Sequence, residues 1–114
     1  MSDCLFCKIV AGEIPADIIK EGDDWLAFRD INPQAPTHVL IIPRQHVATL
    51  NDVEEDSADI IGSLTLAAKT IAREEGIADS GYRTVMNCNS DGGQSVYHIH
   101  VHLLGGRSMR WPPG

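Results

Sequence analysis

The chain has 114 residues, of which 43% are hydrophobic and 22% charged; these values fit one globular domain and exclude disordered and fibrous proteins. Lys and Arg number 9 against 16 Asp and Glu, and the net charge of −7 argues against binding to a nucleic-acid polymer, whose phosphates require cations. No apolar run approaches the roughly 20 residues of a membrane-spanning helix, and the start, Met1-Ser2-Asp3, lacks the features of a secretory signal, so we expect a cytoplasmic protein without a membrane partner.

The first half of the chain predicts a short helix, a hairpin and a buried strand. Residues 4–11 carry apolar side chains for packing, and Gly12 favours a helix end there. Two short runs, Ile18–Glu21 and Trp25–Arg29, flank a Gly-Asp-Asp turn and predict the hairpin. After a loop with two prolines, the apolar run 37–42 predicts a buried strand.

The second half predicts one long helix and two further strands. Apolar residues at three- and four-residue spacing form one helical stripe: Ile60, Ile61, Leu64, Ala67, Ala68, Ile71 and Ala72. Gly76 is a plausible stop for this helix, and runs 82–88 and 97–104 predict strands. Short links between most strands favour antiparallel pairing, so we expect a single α+β domain spanning 1–114, with its helices against one face of the sheet.

The last predicted strand carries three histidines at every second position. Because side chains alternate across a strand, His98, His100 and His102 share one face, and the apolar residues between them share the other. Imidazole supplies nucleophilic and proton-transfer capacity near neutral pH. Two interpretations remain open at this point: a catalytic metal bound by the three rings, or a metal-free histidine nucleophile.

A polar loop precedes the histidine strand. It runs from Asn87 to Ser95 and contains Gly92-Gly93, where the backbone can approach a ligand closely and consecutive amides can surround an anion. Gln94 and Ser95 add hydrogen-bond donors next to the histidines. Beside such a strand, the loop predicts a phosphate site.

The three cysteines have several interpretations. Cys4-x-x-Cys7 is compatible with a redox pair, half of a zinc site or two small apolar residues on a short helix. Cys88 lies in an apolar run, which favours a buried thiol. An odd number of cysteines argues against a disulfide framework.

The histidine strand resembles the His-φ-His-φ-His-φ-φ signature of the histidine triad (HIT) superfamily, and the end of the chain resembles its Hint branch of nucleotide-binding proteins. Similarity extends over nearly the whole chain, through Phe28-Arg29-Asp30-Ile31, Pro36-Thr37-His38, Ile42-Pro43-Arg44-Gln45-His46, Ser90-Asp91-Gly92-Gly93-Gln94-Ser95-Val96-Tyr97-His98, Gly105-Gly106-Arg107 and Trp111-Pro112-Pro113-Gly114. The resemblance implies a HIT-like fold, with an antiparallel sheet of about five strands per subunit, one long and one short helix, and a homodimer.

The resemblance also implies an activity. Proteins of this branch are purine nucleoside phosphoramidases and nucleotidyl hydrolases, so His100 would attack the α-phosphorus and form a nucleotidyl-histidine intermediate. His38 and His102 would order the catalytic network, and Ser95 would assist the departing amine. A purine nucleotide of the AMP or GMP type is the implied small-molecule partner.

Further nucleotide-binding residues follow from the same resemblance. Asp30 would bind the ribose, Asn87 and Ser95 would contact phosphate or leaving group, and the backbone around Gly93 and Gln94 would hold phosphoryl oxygens. The apolar residues implied for the base slot, each of which is equally plausible as core, are Phe6, Ile9, Ile14, Phe28 and Ile31. The C-terminal tail, residues 105–114, would pack at the dimer interface and bring Trp111 near the partner's active site.

Some HIT proteins carry a structural zinc on a Cys-x-x-Cys pair and two histidines, and all four positions are filled here by Cys4, Cys7, His46 and His98. The resemblance therefore implies structural Zn²⁺ and no cofactor for the chemistry itself. Related proteins without these cysteines fold without metal, so hydrogen-bonded histidines are the alternative.

One alternative function stays open. The chain would then be a nucleotide-binding regulatory or scaffold protein with incidental hydrolysis, because binding and catalysis use the same residues.

Overall fold

Five strands form one antiparallel sheet in the order β1-β2-β3-β5-β4. The computed structural model describes residues 3–114. The N-terminal start that lacks the features of a secretory signal includes Met1 and Ser2, which lie outside the described residues. The strand bounds are β1 Ile18–Glu21, β2 Trp25–Arg29, β3 Thr37–Pro43, β4 Tyr82–Val85 and β5 Val101–Gly105. The predicted α+β class and antiparallel sheet are confirmed.

The two helices agree with the predicted short and long helix. α1 spans Leu5–Val10 and α2 spans Ala58–Glu74, after two short 3-10 turns at Leu50–Asp52 and Glu55–Ser57. Gly76 follows α2 with φ of 77°, a conformation that glycine adopts without steric cost, so the predicted stop is confirmed. Neither helix is long and apolar enough to cross a membrane.

The central strand β3 is buried over its whole length because both faces of the sheet are covered. Val39 and Ile41 pack with α2 in one apolar cluster, whereas Leu40 and Ile42 pack with α1 in another. The prediction that the helices lie against one face is therefore wrong: α1 covers the face opposite α2. Side chains of β3 alternate between the two faces, so burial of every residue requires a cover on each side.

The register of β3 and β5 brings two distant histidines together. His38 pairs with Leu104, and His102 pairs with Leu40, so the two imidazoles are diagonal neighbours on the α1 face of the sheet.

Both C-terminal strands are shorter than predicted. β5 begins at Val101 instead of residue 97, and β4 ends at Val85 instead of residue 88. The segment before β5 leaves the ladder, and the Ile99 amide donates to the carbonyl of Val47 at 2.8 Å. Side chains nevertheless continue to alternate between the two faces of the sheet. Ile99 shows this, since it packs in the α2 cluster together with Val101 and Leu103.

Candidate active site

A cleft of about 350 Å³ opens on the α1 face of the sheet, beside the histidines. Its lining combines apolar and polar side chains from α1, β2, β3, β5, the loops before β1 and β5, and the loop after β2. The lining residues are Leu5, Phe6, Ile9, Pro15, Ala16, Asp17, Phe28, Arg29, Asp30, Ile31, Leu40, Ser95, Val96, His100 and His102.

His100 lies at this cleft with a single defined tautomer. Its Nδ1–H donates to the backbone carbonyl of His98 at 2.8 Å, so Nε2 carries the lone pair. The side chain is buried, with an edge-to-face contact to Phe6 at a centroid separation of 5.1 Å. Burial lowers the pKa of His100, against the raising effects of the His98 carbonyl and Asp30, so the neutral ring is favoured.

A hydrogen-bonded network next to His100 joins Gln34, His38 and His102. The amide of Gln34 donates to His38 Nδ1 at 3.0 Å, which leaves the proton of the neutral His38 ring on Nε2. That Nε2 lies 2.9 Å from His102 Nδ1 and 3.4 Å from a carboxylate oxygen of Asp30. His102 Nδ1 is therefore an acceptor, and its own proton lies on Nε2.

Burial dominates the electrostatics of this network. It lowers the pKa of His38 and, together with the neighbouring His100 and His38, lowers the pKa of His102 to about 4. Asp30 opposes both shifts through its negative charge. At neutral pH His38 and His102 are neutral, and each presents one N–H and one lone pair.

The polar loop before the histidines is held by Gln94. The Gln94 amide group donates to the carbonyls of Ala48 and Val96 and accepts from the backbone amide of Asn89. The backbone amides of Gly93 and Gln94, which we expected to face phosphate, donate to Ser90 and Asn89 at 3.0 and 3.1 Å. Both amides are used to close the loop, and Ser95 is the member of the loop that lines the cleft.

The predicted nucleotide-binding residues divide into two groups. Phe6, Ile9, Phe28, Ile31, Asp30, Ser95, His100 and His102 all line the cleft. Asn87, Gly93, Gln94, Ile14 and Trp111 do not line it in the single chain. Ile14 is half-buried against the apolar cluster that contains Phe6 and Phe28, and Trp111 is 83% exposed on the tail.

Sequence reasoning missed several lining residues. Leu40 was predictable, because it shares a strand face with His38. Asp17 and Arg29 gave no separate signal; Arg29 donates to both carboxylate oxygens of Glu75 at 2.8 and 3.0 Å. This pair links the cleft rim to the end of α2.

A second cluster joins Cys4, Cys7, His46 and His98, whose donor atoms all lie within 4.8 Å of one another. His98 Nδ1 is 3.4 Å from Cys4 Sγ, 3.5 Å from Cys7 Sγ and 3.2 Å from His46 Nδ1, and Cys7 Sγ is 3.3 Å from His46 Nδ1. Tetrahedral zinc separates nitrogen and sulfur ligands by about 3.5 Å and two nitrogens by about 3.3 Å. The four residues therefore fit a closed tetrahedral site.

The tautomer of His98 supports this fit. Its Nε2–H donates to the Pro43 carbonyl at 2.8 Å, so the lone pair of Nδ1 points to the two cysteines. His98 is fully buried and His46 is exposed, so the cluster reaches from the interior to the surface.

The three rings of the histidine motif do not converge on one point. Within residues 3–114, His98 groups with the two cysteines and His46, whereas His102 groups with Asp30 and His38. The interpretation of the triad as one metal site is therefore not supported by the geometry, and His100 lies between the two groups.

Comparisons with known proteins agree with this arrangement. The family described as "HIT domain" matches residues 11–109. The chain is 54% identical to the "14 kDa zinc-binding protein" of Zea mays, covering 99% of this chain and 89% of that one. It is 52% identical to the "Purine nucleoside phosphoramidase" of Escherichia coli K12, covering 94% and 90%.

A solved structure provides a third comparison. The HIT family hydrolase from Legionella pneumophila Philadelphia 1 superposes with a TM-score of 0.96 at 59% identity, covering 98% of this chain and all of that one. A family match over most of the chain, together with this likeness in sequence and fold, shows that the chain belongs to the HIT domain family.

Proposed function

We propose that the protein is a nucleotide hydrolase that cleaves the P–N bond of purine nucleoside 5′-phosphoramidates or related nucleotidyl conjugates. The observation that carries the proposal is the unprotonated Nε2 of His100 at an apolar cleft, beside the His38–His102 pair. The relative named as a purine nucleoside phosphoramidase supports the substrate class.

The reaction runs in two displacements. His100 Nε2 attacks the α-phosphorus, a P–Nε2 bond forms, and the P–N bond to the amine breaks. The departing amine takes a proton through the Ser95 hydroxyl, and Ser95 regains a proton from the water that attacks in the second displacement. Water then attacks the phosphorus, releases the nucleoside monophosphate and returns His100 to its starting state.

Neighbouring groups orient His100 and stabilise developing charge. The His98 carbonyl keeps Nδ1 protonated, so the nucleophilic nitrogen stays the one at the cleft. His102, held by His38, donates Nε2–H to a phosphoryl oxygen as negative charge builds up there. The His38–His102 pair is neutral, so it stabilises the developing charge through fixed N–H dipoles and not through a cationic side chain.

The nucleotide occupies the cleft with its base against the apolar side. Phe6, Ile9, Phe28 and Ile31 enclose the purine, backed by Ile14, and Asp30 accepts from the ribose hydroxyls. Asn87, the Gly93–Gln94 backbone and Ser95 bind the phosphate or the leaving group. The two loop amides reach phosphate only by giving up their bonds to Ser90 and Asn89.

The cysteine cluster binds structural zinc. Cys4, Cys7, His46 and His98 supply four ligands with no open position, so the metal stabilises the fold and is not required for the chemistry. The relative named as a zinc-binding protein supports this assignment.

The protein acts as a cytoplasmic homodimer without nucleic-acid-polymer or membrane partners. The exposed Trp111 and the edge position of β4 support a partner subunit that covers the tail, residues 105–114. Trp111 then completes the partner's nucleotide site.

The test of the proposed chemistry is His100→Ala. We expect turnover of adenosine 5′-phosphoramidate to fall by about three orders of magnitude or more, because the nucleophile is removed. AMP binding, measured by calorimetry, should remain within a few-fold of wild type. Tyr97→Phe, a mild change in the same segment outside the cleft, is the matched control, and undiminished turnover in His100→Ala would refute the nucleophile assignment.

A further inference from the structure

We infer that the Cys4–Cys7–His46–His98 cluster holds α1 in place as a wall of the nucleotide cleft, so that metal occupancy controls nucleotide affinity more than turnover. The inference rests on the proposed function. Its basis is that α1 belongs to both sites: Cys4 and Cys7 join the cluster, and Leu5, Phe6 and Ile9 line the cleft.

Besides the cluster, α1 is held by the apolar contacts of two buried side chains. A helix of six residues is far below the roughly 12–15 residues at which an isolated helix becomes even marginally stable. Only Phe6 and Ile9 of α1 are buried, and Gly12 turns the chain away just after the helix. The cluster joins Cys7 to His46, 39 positions further along the chain, and Cys4 to His98, 94 positions further along. These contacts constrain the start of α1 as a cross-link would.

Phe6 transmits the position of α1 to the cleft. Its ring contacts His98 and His100 edge-on, at centroid separations of 5.9 and 5.1 Å, and Phe28 at 5.5 Å. When α1 is released, this ring leaves its place between the cluster and the cleft, and the apolar slot widens. A widened slot loses contact with the base and weakens binding.

The hydrogen bonds that orient the nucleophile do not involve α1. The His98 ring is held through Nε2 by the Pro43 carbonyl, and His100 is held through Nδ1 by the His98 carbonyl. Neither bond involves a cysteine. Loss of the metal therefore leaves the tautomer and orientation of His100 in place, and the rate of the bound substrate is largely preserved.

The experiment compares the zinc-loaded wild type with Cys4→Ser/Cys7→Ser and with Cys88→Ser as the matched control. We expect the double variant to bind AMP about 5- to 10-fold more weakly by calorimetry. KM for adenosine 5′-phosphoramidate should rise by a similar factor, with kcat within about two-fold of wild type. Cys88→Ser should match the wild type in all three quantities and in zinc content.

A second measurement keeps the test valid if the double variant fails to fold. Hydrogen exchange of the amides at 5–10 is compared in wild type before and after chelation, and AMP affinity is measured on the same samples. We expect chelation to speed exchange in α1 and weaken AMP binding, and added zinc to reverse both effects.

The outcomes separate the two proposals. Equal AMP affinity with and without metal, a fall in kcat at unchanged affinity, or a wild type that binds no zinc would each overturn the inference while leaving the hydrolase proposal standing. A wild type that neither binds AMP nor hydrolyses the phosphoramidate would refute the proposed function, and the inference with it.

Discussion

At the scale of single residues, each buried histidine of the site has one nitrogen committed to a fixed partner. His98 donates to Pro43, His100 donates to the His98 carbonyl, and His38 accepts from Gln34. The opposite nitrogen of each ring then has a known protonation state. A backbone partner is decisive here, because a carbonyl accepts only and an amide donates only.

The lowered pKa of His102 makes stability depend on pH. The pKa of His102 is lowered from 6.5 to about 4 by burial and by the neighbouring His100 and His38, with Asp30 opposing. The unfolded chain therefore binds a proton more readily than the folded protein as pH falls below 6.5. This histidine contributes its full stability above pH 6.5 and loses it progressively down to about pH 4.

We expect His102 alone to lower the free energy of unfolding by about 2 kcal/mol between pH 7 and pH 5. His102→Gln lacks this titration, so its stability should fall less steeply over the same range. Urea denaturation of both proteins at pH 7, 6 and 5 measures the difference. Parallel pH profiles for the two proteins would contradict the assignment of a depressed pKa to His102.

At the scale of elements, glycine has different roles in the polar loop from Asn87 to Ser95 and in α2. A Cβ at Gly92 would meet the backbone carbonyl oxygen of Cys88 and lie 2.8 Å from the Cys88 nitrogen, so the loop closes only around glycine. A Cβ at Gly62, on the exposed face of α2, would meet nothing within 4 Å. The same substitution therefore has opposite consequences at the two positions.

We expect Gly92→Ala to destabilise the protein by about 1–3 kcal/mol, because backbone atoms must shift to accept the methyl group. Gly62→Ala should instead stabilise it by about 0.5–1 kcal/mol through higher helix propensity, with unchanged turnover. Thermal and urea unfolding of both variants check the signs. A neutral Gly92→Ala would show that the loop adapts to a side chain there.

At the scale of the whole molecule, the acidic charge of the protein opposes the binding of the proposed anionic ligand. The chain carries −7, and Arg29, a cation at the cleft, is already paired with Glu75. The Glu75 partner raises the pKa of Arg29, and Arg29 lowers that of Glu75. In the proposed complex, local N–H groups and apolar contacts would hold the nucleotide against the overall charge.

The tail provides the whole-molecule prediction. If Trp111 packs against a partner subunit, deletion of residues 110–114 should shift the protein from dimer toward monomer in light scattering and raise KM for the phosphoramidate. Trp111→Ala should do the same to a smaller extent. Leu66→Ala, which trims an exposed leucine on α2, controls for a general loss of apolar surface. A monomeric wild type would contradict the proposed dimer.

Local sequence pattern was sufficient to predict most of the helices and strands. The bounds of β1 and β2 match the predicted hairpin, and the helical stripe and its glycine stop predict α2, because these features depend on near-neighbour periodicity and turn chemistry. The sequence pattern also predicted that the three histidines alternate with core residues. This alternation extends to Ile99, which is a core residue although it precedes the hydrogen-bonded part of β5.

Tertiary structure decided how those residues are used. Only the β3–β5 register makes His38 and His102 partners. Only the placement of α1 opposite α2 brings Phe6 to the cleft beside His100, and the two cysteines to His98. The Gly93 and Gln94 amides are an exception, because their partners, the Ser90 and Asn89 carbonyls, lie in the same loop. From the sequence alone the number and type of chemical groups were determined. The partnerships of His38 with His102 and of Cys4 with His98 join residues 64 and 94 positions apart, which local pattern does not encode.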